Sequence, residues 1–272
     1  MGQSKARDDR EAWAAFVDRK AAPLVFAVAD EQLTVPRELE PHRHARGQLF
    51  ASAAGLMTVV TDAGRWLMPP ERAVWVPPNE RHAVRATAAA RGWSLYVAPA
   101  ACARLPRQPL VLQVSPLMKE AIARIANWTP KDRALTAPEQ RLAQVMLDEV
   151  AAAPRQRLHL PLPREPQLLH VALELADAPD DARTLDDWAR TAAMSKRTFT
   201  RRFRAETGLS FAAWRVQLRV LVAVERLAAG DSVTRVAADL GYDSPSAFAA
   251  AFRRVLGTTP TLARATLTSR AS

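Results

Sequence analysis

Cysteine is almost missing from this chain: Cys102 is the only one in 272 residues. That excludes an intrachain disulfide and fits a reducing compartment. No apolar run approaches the roughly 18 residues that span a bilayer. The opening MGQSKARDDREAW lacks the apolar core of a secretion signal, and Ala6 stands where a myristoylation signal needs Ser or Thr. These absences predict a cytoplasmic chain with no membrane partner. Lysine is scarce as well, five against 33 arginines. A GC-rich genome would produce the same bias, but arginine can also grip phosphate or guanine with two parallel hydrogen bonds. The formal charge is +10, which suits a polyanionic partner.

The length favours two domains, and the patterning divides the chain accordingly. Up to about Ala100 it consists of short Val-, Trp-, Leu- and Thr-bearing segments such as LFASAAGLMTVVT, AVWVPP and GWSLYVAP, cut at close intervals by Gly and Pro. That predicts an all-β sandwich or barrel. The period then changes. SPLMKEAIARIANW (115–128) predicts a helix with Leu117, Ala121, Ile122 and Ile125 on one face. APEQRLAQVMLDEVAAA (137–153) predicts a second, with Leu142, Val145, Met146 and Val150 in the stripe. PRQRLHLPLPREP (154–166) holds four prolines and predicts an extended linker. Everything beyond it reads as helix. Residues 180–272 carry 15 basic against nine acidic residues, a net of +6.

The helical part repeats itself. Ser195, Phe199, Phe203 and Gly208 align with Ser244, Phe248, Phe252 and Gly257 at an offset of 49. Just upstream the offset is 48, pairing Leu185, Trp188 and Ala189 with Val233, Val236 and Ala237. Each copy reads as helix, short turn, helix and glycine stop, the helix-turn-helix layout whose second helix enters the DNA major groove. FAAWRVQLRVLVAVERLAAG (211–230) predicts one long helix between the copies. Two copies at fixed spacing, and VAADLGYDSPSAFAAAFRRVLGTTP above all, resemble the AraC/XylS family of bacterial transcription regulators. The resemblance implies a sequence-specific regulator that binds double-stranded DNA as a homodimer and contacts RNA polymerase if it activates.

The inward phenylalanines leave Lys196, Arg197, Thr200, Arg201 and Arg204 outward, with Arg202 on the flank. The resemblance places base contacts at Arg197, Thr200 and Arg201; phosphate gripping is the competing role for each arginine. The second copy offers Ser244, Ser246, Ala249 and Ala250, then Arg253 and Arg254. Alanines can meet only thymine methyls and serines discriminate poorly, so this copy is expected mostly to position the protein, with its arginines on phosphate.

In the β part, His42 and His44 form an H-x-H pair that a strand would turn to one face, and His82 follows the turn WVPPNERH. Together they resemble the two motifs of a cupin barrel. Metal-binding cupins add a Glu near the place that Gln48 holds here. Three imidazoles suit Ni, Zn or Fe; a metal-free effector pocket is the alternative. HARGQLFASAAG and TDAGRWLMPPERAVWVPPNERHAV also resemble an AraC-type subgroup with a cupin sensor. Arg46, Trp66, Trp75 and Tyr96 would line that pocket or fill the core. The expected architecture is α+β in two domains: a cupin-like effector-binding and dimerisation domain (1–155), a linker and first helix region (156–178), and an all-α tandem helix-turn-helix domain (179–272). A non-enzymatic regulator controlled by a small molecule or divalent metal is the leading reading. A metal-dependent oxygenase fused to a DNA-binding module and an effector-independent DNA-binding protein are the alternatives.

Overall fold

Proline and glycine cut the first part of the chain into segments too short for helices, and these segments pair as strands. The computed structural model describes residues 23–30, 38–86, 90–128, 134–156 and 158–268. The expectations for the N-terminal segment, Ala6 included, fall outside the described residues. Nine strands come first: β1 (Val25–Asp30), β2 (Glu38–His42), β3 (Gly47–Ala54), β4 (Met57–Thr61), β5 (Gly64–Met68), β6 (Arg72–Val76), β7 (His82–Ala86), β8 (Arg91–Val97) and β9 (Leu110–Gln113). Two short strands, β10 (Arg155–Gln156) and β11 (His159–Pro161), follow two helices, α1 (Pro116–Ala126) and α2 (Ala137–Ala152). The chain forms two compact units, 1–59 with 68–156 and 60–67 with 157–272.

In the first unit an antiparallel sheet runs β1-β8-β3-β6-β9-β10. In a second sheet β2 pairs antiparallel with β7 and brings His42 opposite His82. Val25, Leu49, Trp75, Leu95, Val97 and Leu112 form the core, and α1 and α2 pack on it. The helices bury a slightly different stripe from the expected one: Met118, Ala121, Ile122 and Ile125, then Ala143, Met146, Leu147 and Val150. Each set is a full i, i+3, i+4, i+7 series. Leu117 and Val145 lie about one residue's rotation away and are 49% and 40% exposed. Ser115 caps the start of α1, its hydroxyl accepting from the Met118 N–H at 3.0 Å. Gly47 opens β3 against the Trp75 ring, where a Cβ would come within 2.3 Å of a ring carbon.

The second unit holds α3 (Pro166–Asp177), α4 (Leu185–Thr191), α5 (Lys196–Thr207), α6 (Phe211–Ala228), α7 (Val233–Asp239), α8 (Pro245–Leu256) and α9 (Pro260–Thr268). Among the described residues no helix is long and apolar enough to cross a membrane. The proline-rich segment is no free linker. Its β11 pairs antiparallel with β5, where Trp66 stacks on His159. The Trp214 indole N–H donates to the Pro161 carbonyl at 2.7 Å, and the Gln217 amide donates to the His159 carbonyl. A Glu206 oxygen accepts from the backbone N–H groups of Arg164 (2.6 Å) and Glu165 (2.9 Å). Prolines keep this stretch extended but leave its carbonyls free, and α5 and α6 supply partners for its exposed backbone.

Both repeat copies form as expected. Trp188, Ala189, Val236 and Ala237 are buried, as are Phe199, Phe203, Phe248 and Phe252. The two turns share their hydrogen bonds: Met194 N–H to the Ala189 carbonyl matches Tyr242 N–H to the Ala237 carbonyl. Both second helices end on a left-handed glycine with φ +73°, Gly208 and Gly257.

Candidate nucleic-acid interface and histidine cluster

The interface is built on a hydrophobic anchor. Phe199 and Phe203 are one helical turn apart and both wholly buried. They pack edge-on against Phe211, and Phe203 also against Trp214. This rotation turns Arg197, Arg201 and Arg204 outward, all exposed. None of the three guanidinium groups makes a hydrogen bond or ion pair among the described residues. With Thr200, Ser210 and Ala212 they line a groove of about 780 Å³. Free outward cations along one helix face are what phosphate oxygens and guanine O6 and N7 require. Arg204 follows from the same periodicity as Arg197 and Arg201 and joins them here.

The remaining sequence-selected positions on α5 are engaged within the protein. Arg202 sits on the opposite flank and donates to Glu165 at 2.5 Å, so its charge is turned toward the segment before α3. Lys196 pairs with Asp186 at 2.9 Å, with both side chains more than half exposed. Such a pair stabilises little and exchanges readily for a phosphate. The Thr200 hydroxyl donates to the Lys196 carbonyl at 2.9 Å, which leaves its oxygen as an acceptor and its methyl as an apolar contact.

In the second copy Ser244 is the N-cap of α8 and accepts from the Ala247 N–H at 3.2 Å. Ser246, Ala250, Arg253 and Arg254 are exposed, and Ala249 is half-buried. Arg253 and Arg254 fall in the last turn, where cations also suit the helix dipole.

The three sequence-selected histidines come together. One ring nitrogen from each of His42, His44 and His82 lies within 4.8 Å of the others. The Nδ1 atoms sit at backbone carbonyls: His42 on Glu40 at 2.9 Å, His44 on Arg46 at 2.8 Å and His82 on Glu80 at 2.8 Å. A carbonyl only accepts, so each Nδ1 carries the hydrogen, the arrangement of a metal-ligating histidine. Nε2 of His82 keeps its lone pair, whereas His44 Nε2 faces the Gln48 Oε1 and offers a lone pair only with that amide turned round. His82 is 1% exposed and its Nε2 has no hydrogen-bond partner. Burial, reinforced by its two histidine neighbours, lowers its pKa to about 4, so the ring is neutral at pH 7, as a ligand must be. Gln48 is 2% exposed and lies 2.9 Å from His44 Nε2. The donor set fits a borderline divalent metal.

Aromatic rings flank the cluster. Phe50 lies 5.7 Å from His82 and Tyr96 lies 5.6 Å from His44, with Phe26 stacked on Tyr96. Arg46 is buried, donates to the Pro23 carbonyl and sits 5.2 Å over Phe26. Trp75 and Trp66 are core residues. Burial also pushes the Cys102 thiol above its usual pKa, which disfavours the nucleophilic thiolate.

Two helix-turn-helix motifs joined by α6, with free arginines on the first second-helix, define a DNA-binding protein. The β-rich unit places a ligand-type side-chain cluster on the same chain. A family model described as a helix-turn-helix domain matches residues 188–266, and one described as an AraC-like ligand binding domain matches residues 36–184. The chain is 38% identical over 241 residues to the HTH-type transcriptional regulator NimR of Escherichia coli (strain K12), covering 88% of this chain and 86% of that protein. It is 37% identical over 119 residues to the HTH-type transcriptional regulator RipA of Corynebacterium glutamicum, covering 44% of this chain and 34% of that protein. Among solved structures, the DNA-binding domain of AdpA in complex with a target DNA matches at 38% identity, covering 35% of this chain and 87% of that one with a TM-score of 0.34. The chain belongs to the AraC family: it is a DNA-binding transcription regulator with an N-terminal ligand-binding domain.

Proposed function

We propose that this regulator is a cytoplasmic, non-enzymatic homodimer whose DNA binding is set by a divalent transition metal (Ni, Zn or Fe) held by His42, His44 and His82. The observation that carries the reading is the unpartnered, buried Nε2 of His82 beside two further imidazoles whose Nδ1 hydrogens are already committed. A bound metal supplies a charge and a cross-link between β2 and β7. Gln48 holds the place where a carboxylate would tighten the site, so affinity is moderate and binding is reversible, as a sensor requires. The metal regulates only if it binds one DNA-binding state better than the other. The ligand-binding domain spans 1–155, with α1 and α2 supplying the dimer contact through Leu117 and Val145. The segment 156–178 connects it to the DNA-binding domain, 179–272.

On DNA, Arg197, Thr200 and Arg201 contact base edges. Lys196, Arg253 and Arg254 hold phosphates, and Ser246 lies against the groove. Ser244 caps α8, and Arg202 braces the linker instead of meeting DNA. RNA polymerase is a further partner if the chain activates. The test is binding of metal-stripped full-length protein to the promoter DNA beside its own gene, titrated with Ni, Zn and Fe(II). One metal should shift the affinity, His82→Ala should abolish that shift, and Gln48→Glu should move it to lower metal concentration. Unchanged DNA binding with every metal would overturn the metal role and leave an organic effector for the pocket.

A further inference from the structure

We infer that the two helix-turn-helix motifs read different base chemistry: the first half-site is specified by guanines, and the second by thymine methyl groups together with the exclusion of G·C pairs. This rests on the base-reading role proposed for α5.

The inference starts from the equivalence of the two helices. Each begins on a serine cap, Ser195 and Ser244, buries a phenylalanine pair four residues apart, and stops at a left-handed glycine. The offset of 49 therefore carries over to the groove face. Ser246 stands where Arg197 stands, Ala249 where Thr200 stands, and Ala250 where Arg201 stands. Arg253 stands where Arg204 stands, so the phosphate end of the face is retained while its base-reading centre is cut back to methyl groups.

A methyl-lined helix is not a neutral surface in the major groove. Pressed against G·C it covers the guanine O6 and N7 acceptors and the cytosine amino group without offering partners, and unpaired polar groups removed from water are costly. Pressed against a thymine it meets the one apolar feature on the major-groove edge, the C5 methyl. Ser246 can pair with any base, so it does not undo this preference. The short side chains also let the helix backbone approach the base edges more closely than arginines allow. A second half-site with thymines facing positions 249 and 250 is the match.

The experiment uses the full-length protein, and its main readout changes the DNA alone. A duplex is selected from a random pool, and each thymine is replaced in turn by deoxyuridine, which removes the C5 methyl alone. The expected result is a loss of about fourfold per contacted thymine in the second half-site, the worth of one buried methyl, and no loss in the first. Ala250→Arg, at an exposed position, should turn the preference at the facing base from thymine to guanine. Arg201→Ala is run beside these as the control on the underlying reading. If uracil is neutral throughout while Arg201→Ala still flattens a guanine preference, the inference is overturned and the reading by α5 stands. Equal uracil losses in both half-sites would also overturn it, since the methyl would then act through DNA stiffness. If uracil is neutral and Arg201→Ala costs the same on selected and random DNA, the underlying reading fails as well.

Discussion

The two helix-turn-helix copies share a skeleton and differ in what they display. Their buried phenylalanines, serine caps and glycine stops recur at the same spacing. Their groove faces do not: α5 carries three free arginines where α8 carries Ser246, Ala250 and Arg253. The core sets how each helix is presented, and the exposed residues set what it reads. The turns differ too. Gly241 takes φ +70° in the second copy, whereas Ala193 takes φ +53° at the matching place in the first. An alanine in the left-handed region is strained by about 1–2 kcal/mol, so the copy with the richer reading face has the less relaxed turn.

The largest break in this symmetry is expected in the cores. Phe203 meets the rings of Phe199, Phe211 and Trp214, whereas among the described residues Phe252 meets only the Phe248 ring, edge-on. Phe203→Ala and Phe252→Ala should each cost about 3–5 kcal/mol, with Phe203 at the upper end. Denaturant midpoints check this, and equal losses would argue that the Trp214 contact adds nothing.

Acid separates both copies from the β-rich unit. Neither copy contains a histidine, whereas the buried His82 titrates near 4 against an ordinary value of about 6.5. The unfolded chain therefore takes up a proton at a pH where the folded chain does not. In metal-free protein the contribution of His82 to stability is constant above pH 6.5 and falls by up to about 3 kcal/mol as pH drops from 6.5 to 4. Hydrogen exchange should show β7 losing protection in that window while α5 and α8 keep theirs. His82→Phe should remove the loss of protection in β7 and leave the smaller dependence from His159, whose pKa burial also lowers.

On DNA, Arg201→Ala should weaken binding to the selected site by about 1–3 kcal/mol and relax specificity at one position. Arg253→Ala should weaken binding on all sequences and reduce the salt slope by about one. Titrations at several salt concentrations separate the two, and an unchanged slope for Arg253→Ala would count against its phosphate role. The smallest effects lie in the turns. Ala193→Gly should stabilise the first copy by up to about 1 kcal/mol, and Gly241→Ala should cost the second about 1–2 kcal/mol. A Cβ at Gly241 would meet only ordinary contacts at 3.5 Å and beyond, so its cost is conformational. Thermal melts of the two variants should move in opposite directions.

What the sequence made legible is what depends on local period and spacing. The phenylalanine pairs and the glycine stops each fix a direction within one element, and the structure finds them where that direction puts them. The H-x-H pair also meets His82, although β2 ends at His42 and His44 lies in the connection beyond it. The misjudged features depend on distant partners. The phase of α1 and α2 is set by the sheet beneath them, which buries Met118 and leaves Leu117 out. The proline-rich segment reads as a linker because nothing within it shows that Trp214, Gln217 and Glu206 will claim its backbone. Periodicity already puts Arg202 on the flank of α5, and nothing local shows that Glu165 will lie beside it. The carbonyls that orient the three imidazoles belong to the backbone and leave no trace in residue identity.

The central claim is that Arg197 and Arg201 on the first recognition helix read guanines while cations elsewhere supply affinity. It is tested most directly by comparing wild type with an Arg197→Ala, Arg201→Ala double variant on selected and random duplexes at one salt concentration. The account predicts a steep loss on the selected duplex, down to the margin that the thymines of the second half-site still hold over random DNA, with little change on random DNA. An equal loss on both duplexes would contradict it, because those arginines would then be holding phosphates.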